Sequence, residues 1–265
     1  MPAPDAEFAK RIGSAVFDSE DVETLVAGIP AFVILLDGLL AGEPTEPEPW
    51  LAGAQLNAAL ASLIHSDPER FALLASKALR YAERGLELQN EELVGFRECT
   101  LDALELRLRV ASTDDAQALF SFASAWSTWI RSRGEDLEAI GDLARVQMIL
   151  ERVLALDETT GNGVVHLYLG AFASMVSPEA GGDLEPARQH FQRAIDLSNG
   201  ADLSAKVALA LHYAERVGDR ALRDRLLQEV IATDPHVKGR TLMNVMAQRR
   251  AKAVLAGGVD PWSPF

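Results

Sequence analysis

An apolar repeat of helical period runs almost from end to end of this chain. It is interrupted only by short segments rich in Gly, Pro, Asn and Asp. Between residues 50 and 66, for example, Leu51, Ala54, Leu56, Ala59, Leu60 and Leu63 recur with the spacing of one helix face. Nowhere does the pattern alternate as a half-buried strand would. The breaks are as informative as the runs. Pro44, Pro47 and Pro49 rule out a helix through 42–49. Asp67-Pro68-Glu69 reads as a helix start, with Asp67 as N-cap and Pro68 at the first helical position. Thr113-Asp114-Asp115 caps another. The pattern predicts helices over 20–41 (with Pro30 kinking or restarting it), 50–66, 68–88, 91–110, 115–131 and, after a turn at 134–136, 137–156. Continued to the end, it gives about twelve helices joined by short loops. The expected fold is all-α, a stack of helical hairpins, with 1–21 as a lead-in and 22–265 as one domain.

Beneath the helices lies a degenerate repeat. A tetratricopeptide (TPR) hairpin needs a small residue where its second helix crosses the first, a bulky one a turn later, then a small one again. Ala187, Phe191 and Ala194 have that spacing, behind a helix carrying Leu169-Gly170. Leu227, Val230 and Pro235 supply the later offsets of a second copy, Leu150, Val153 and Leu156 a third, and Ala75, Leu79 and Ala82 a fourth. The architecture expected is therefore a TPR-like solenoid.

Composition narrows the functions open to such a scaffold. Hydrophobic residues make up 48% and charged residues 24%, enough to bury a core. A net charge of −14 repels phosphate backbones and argues against a nucleic-acid partner. The apolar stretch 31–41 is too short for a bilayer and carries Asp37, so it reads as a buried core helix. Met1 to Phe17 lacks the basic start, apolar run and cleavage site of a signal peptide. Cys99, the one cysteine, reads as a small buried or half-buried side chain. No HExxH, CxxC, glycine-rich phosphate loop or GxSxG occurs. His166, His190 and His212 fall on successive helices, but His190 lacks a ligand partner at i±3 or i±4, and His65 and His236 stand apart. The chain is expected to be no enzyme and to hold no metal or cofactor.

Several residues remain candidates for binding. Phe122, Trp126 and Trp129 share one helix face among Ser121, Ala123, Ser124, Ala125 and Ser127; they read either as core or as the lining of an apolar pore for a hydrophobic ligand. Gly181-Gly182-Asp183 reads as a helix cap or, less directly, as an anion loop. Asp219, Arg220, Asn244, Gln248, Arg249 and Arg250 are polar positions near the end of the chain, open to structural pairing or to contact with an anionic ligand or acidic partner.

The same stretches resemble a known family. Leu167-Tyr168-Leu169-Gly170, Gly181-Gly182-Asp183, Ala187 to Phe191, Ala194 to Ser198, Tyr213-Ala214, Asp219-Arg220, Asp234-Pro235, Asn244 and Ala247 to Ala251 are similar to the TRAP transporter T-components, TPR-like periplasmic proteins. Asp260 and Phe265 resemble that family's ending, and Trp126 to Ile130, Leu156 to Glu158, Asn162-Gly163, Gly28-Ile29-Pro30 and Leu35 to Leu40 extend the likeness upstream to Val22. The resemblance implies an accessory protein of tripartite ATP-independent periplasmic transport that associates with the substrate-binding P-component. It also implies passage of a small hydrophobic or anionic ligand, and a homotrimer with ligand-sized pores. Members usually begin with a lipoprotein signal and a lipidated cysteine, neither of which is seen here; removal of an export segment is the expected explanation. The alternative is a cytoplasmic TPR adaptor that binds a peptide or protein.

Overall fold

The computed structural model describes residues 6–64, 67–134, 136–176 and 180–258. Residues 1–5 of the lead-in, together with His65, Asp260 and Phe265, lie outside them. The all-α expectation holds: thirteen α-helices and short 3-10 or π turns account for the regular structure, with no strand among the described residues. The chain divides into two compact units, 1–16 with 21–157, and 17–20 with 158–265.

Following α1 (Ala6–Phe17) in the chain, α2 (Val22–Leu40), α3 (Pro47–Leu63), α4 (Pro68–Gln89), α6 (Ala116–Ser132) and α8 (Leu143–Leu156) pack in succession in the first unit. The N-caps behave as their chemistry predicts. Asp67 accepts from the Arg70 amide at 3.1 Å, and Pro68 occupies the first turn of α4, where its missing N–H leaves nothing unsatisfied. Ala75, Leu79 and Ala82 form the buried stripe of α4. Gly85 lets α3 come close, since a Cβ there would stand 2.6 Å from Leu51 Cδ2. The indole of Trp50 donates to Pro44 O at 2.9 Å and fixes the loop before α3.

Four expectations need correcting in this unit. The loop expected over 42–49 ends early, since α3 starts at Pro47 and takes in Pro49, first-turn positions whose missing amides leave no helical bond unmade. The apolar run 31–41 is not a buried core helix: Ile34 is 70% and Leu35 56% exposed, and only Leu36 and Leu40 are buried. Pro30 bends α2 by 50°, and the helix is covered along one side, where Asp37 accepts from Lys77 Nζ and Tyr81 Oη, each at 2.6 Å. Residues 91–100 are turns, not the first half of a helix. Asn90 Oδ1 accepts from the Glu92 amide at 3.0 Å, and Gly95 takes φ +68°, so the helical ladder stops until Thr100 caps the short α5 (Leu101–Leu108). The helix expected over 137–156 is broken at Asp142 into α7 (Leu137–Gly141) and α8. No single helix among the described residues is long and apolar enough to cross a membrane.

The second unit is built from α9 (Val164–Ala173), α10 (Glu185–Leu197), α11 (Leu203–Ala208), α12 (Arg220–Ala232) and α13 (Thr241–Leu255). Its core joins Ala187, Phe191, Val207, Leu227, Val230 and Ala251. Phe191 is fully buried, worth about 3 kcal/mol of apolar transfer at most. Its ring fills the space over Gly170, where a Cβ would lie 2.6 Å from Phe191 Cε1. The Ala–Phe–Ala spacing and the Leu-Gly ahead of it are thus two halves of one helix–helix contact.

That contact gives a test. In Gly170→Ala the overpacking cost of about 1–3 kcal/mol outweighs the gain in helix propensity of up to about 1 kcal/mol, so the melting temperature falls. Gly38→Ala, at a helical position with nothing within 4 Å, raises it or leaves it unchanged. A melt of Gly170→Ala at or above that of the parent would show that the close approach does not govern the pair.

Candidate functional site

Two cavities stand out, one within each unit. The larger, about 640 Å³, lies in the second unit. It exists because three chain segments end or change pitch around it. Helix α9 stops at Ala173, and the next residue seals the end: Ser174 N reaches Gly170 O and Ala171 O, both at 3.1 Å, while the Ser174 hydroxyl donates to Ala171 O at 2.7 Å. Helix α11 runs into a π turn over Leu209–Ala214, in which the Glu215 amide reaches back five residues to Ala210 O at 3.0 Å. Such a turn inserts one residue more than an α-helix carries and re-aims the residues after it. Helix α13 ends where Gly257, at φ +78°, donates to Val254 O and Gly258 to Ala253 O, both at 3.0 Å.

The walls are chemically divided. Ala171, Met175, Leu211, Val254 and Leu255 are apolar; Ser174, His212, Glu215, Arg216 and Arg223 are polar. Arg223 is held by Asp224 at 2.7 Å and Glu215 at 3.0 Å. The smaller cavity, about 180 Å³, lies in the first unit, with Phe96 and Phe122 edge-to-face at 6.0 Å and Glu83, Glu87 and Glu98 among its lining. Burial pushes the Glu83 carboxyl up, against the opposing pull of Arg97.

The residues singled out in the sequence are spread over both units. Phe122 touches the smaller cavity. Trp126 is fully buried, its ring tilted against that of Phe122 at 5.3 Å between centroids and its indole N–H on Asp142 at 3.3 Å. Trp129 is half-buried, with the guanidiniums of Arg97 and Arg133 4.9 and 4.7 Å from its ring centroid. Asp183 accepts from the Glu185 amide at 2.9 Å, at the start of α10. Asp219 caps α12 through the Leu222 amide at 2.9 Å, and Arg220 is exposed beside it. Cys99 is partly exposed, with its thiol against Phe96 O.

Asn244 and Gln248 are braces of the last helix. Asn244 is fully buried: its Oδ1 accepts from Leu203 N at 3.0 Å, and its Nδ2 donates to Ala201 O at 3.0 Å and Pro235 O at 3.2 Å. Gln248 Nε2 reaches Val230 O, Ile231 O and Thr233 O, the open carbonyl end of α12. Arg249 and Arg250 are half-buried and engaged.

A polar chain that spacing alone does not reveal links Glu158, His166 and His190. Glu158 accepts from Arg193 Nε at 2.8 Å and Nη2 at 2.6 Å, and Arg193 foremost holds its carboxyl down at about 2. Its Oε1 also faces His166 Nε2 at 3.2 Å, and His166 Nδ1 faces His190 Nδ1 at 2.8 Å. Neutral His166 therefore carries its proton on Nε2 and accepts from His190 at Nδ1. Among the described residues no group of three or more His, Cys, Asp or Glu is arranged to hold a metal ion.

Packed α-helices with an open cavity in each unit, and caps and braces made by Asp183, Asp219, Asn244 and Gln248, define an all-α helical protein. Its kind is given by sequence kinship: the chain belongs to the TRAP transporter T-component family, whose model matches residues 18–260. No curated protein matches the chain. Membership makes it an accessory component of a TRAP transport system.

The braces and the histidine pair each lead to a measurable outcome. Asn244→Ala leaves a buried amide and two carbonyls without their partner and costs about 2–4 kcal/mol, read as a lowered denaturant midpoint. The second outcome concerns pH. Burial holds His166 below its ordinary 6.5, the Glu158 contact opposing only in part. As pH falls below 6.5 the unfolded chain takes up this proton before the folded one, and stability is lost. His236, raised by Glu20 and then by Asp234, has the opposite sign, its contribution being complete below 6.5. His166→Gln should therefore flatten the fall in melting temperature between pH 6.5 and 5, and His236→Gln should leave that fall in place. An unchanged slope in His166→Gln would refute the assignment.

Proposed function

We propose that the protein is a non-enzymatic T-component that works in the periplasm, where it binds the substrate-binding P-component of a TRAP transporter and passes a small hydrophobic or anionic ligand. The helix pairs act as TPR-like repeats, three copies assemble into a trimer, and the acidic exterior is free for docking. The observation that carries this reading is the family match across nearly the whole chain. Two further features support it. The Asp183, Asp219, Asn244 and Gln248 side chains serve the backbone, which suits a scaffold. Each unit also keeps an open cavity, and Phe122 is the member of the aromatic face that borders one.

The partnership is tested by co-expressing the full chain with the TRAP substrate-binding protein of its own genome. A complex that survives size-exclusion chromatography is expected, and light scattering of the chain alone should give three chain masses. Two species that never co-elute would overturn the partnership and favour a peptide-binding adaptor.

A further inference from the structure

We infer that the larger cavity binds a monocarboxylate carrying an apolar chain, and that Arg216 selects its charge. The inference rests on the ligand-handling part of the function proposed above and assigns it a place and a ligand class.

The charge balance of the walls is the starting point. Three ionised side chains line the space: Glu215, Arg216 and Arg223. Glu215 is spent on Arg223, which Asp224 also grips. Arg216 is half-buried and has no ion pair or hydrogen bond among the described residues. Arg70, Arg220 and Arg225 also lack an ion pair, but they are exposed; among the half-buried arginines of the described residues Arg216 alone has no partner. Arg145, Arg188, Arg193, Arg223 and Arg240 each hold a carboxylate. The Arg216 fork matches a carboxylate in two parallel hydrogen bonds.

The rest of the cavity specifies the other end of the ligand. Met175, Leu211, Val254 and Leu255 offer an apolar wall, and unbranched Met175 adapts to chains of different shape. About 640 Å³ is within the range of clefts that enclose small organic ligands. The carbonyl ends of α9 and α13 border the same space and would favour a cation there. Their carbonyls are already engaged by the amides of Ser174, Ala256, Gly257 and Gly258, so Arg216 stands as the dominant local charge. One unspent positive charge fits a monoanion better than a dianion.

The test uses the full chain alone and octanoate, octan-1-ol and octyltrimethylammonium as calorimetric probes. Octanoate should bind at least about tenfold more tightly than either of the others, the loss of a charged hydrogen bond being worth that much. Arg216→Ala should weaken octanoate by a similar factor with an unchanged melting curve, Arg216→Lys should retain part of the affinity, and Arg109→Ala, exposed at the end of α5 in the other unit, should change nothing. Octanol binding as tightly as octanoate, no octanoate binding at all, or a folded Arg216→Ala that binds like the parent would each overturn the assignment. None of these readouts involves a P-component, so failure here leaves the partnership standing, and a failed partnership leaves this site standing.

Discussion

The architecture depends on helices approaching closer than side chains ordinarily allow. At Gly170 the ring of Phe191 occupies the volume where a Cβ would be, and at Gly85 Leu51 does the same. Each contact brings two backbones together and lets one large apolar side chain fill the seam, which is how a chain with few aromatics obtains a dense core. In the second unit this arrangement continues through Leu227 and Val230, and the polar work left over falls to Asn244 and Gln248. Those two amides terminate backbone groups that the helices leave open, so the last helix is anchored by hydrogen bonds as well as by burial.

Much of this is legible in the residues. Spacing picks out Ala75, Leu79, Ala82, Leu150, Val153, Ala187, Phe191 and Ala194, and all are buried, because a hairpin contact is local and leaves a local pattern. The features that escape it depend on distant partners or on single backbone angles. The apolar run around Ile34 does not reveal that only one side of its helix is covered. The periodic residues after Glu91 mask a turn imposed by Asn90 and Gly95. Within-helix spacing separates His166 from His190, yet they meet across α9 and α10, 24 residues apart. The larger cavity leaves no motif, since its walls come from two helix ends and a π turn whose existence the sequence does not announce.

Charge explains why so few polar side chains in this acidic chain are available to a ligand. Carboxylates outnumber guanidiniums and ammoniums, and most half-buried arginines hold a carboxylate or a backbone carbonyl, as Arg240 holds Asp202 and Arg152 holds Ala111 O. A cation left uncaptured is therefore more informative here than in a neutral protein, in the way that an unpaired buried polar group is.

The π turn of Leu209–Ala214 has a structural corollary. A helix that accommodates one surplus residue behaves like a screw with a skipped thread: every later residue is rotated by about 100° from where an uninterrupted helix would put it. Glu215 and Arg216 come directly after the skip. Their facing is thus a property of chain length between two fixed anchors, and a single-residue deletion in the turn would swing both away from the cavity without altering any residue that lines it.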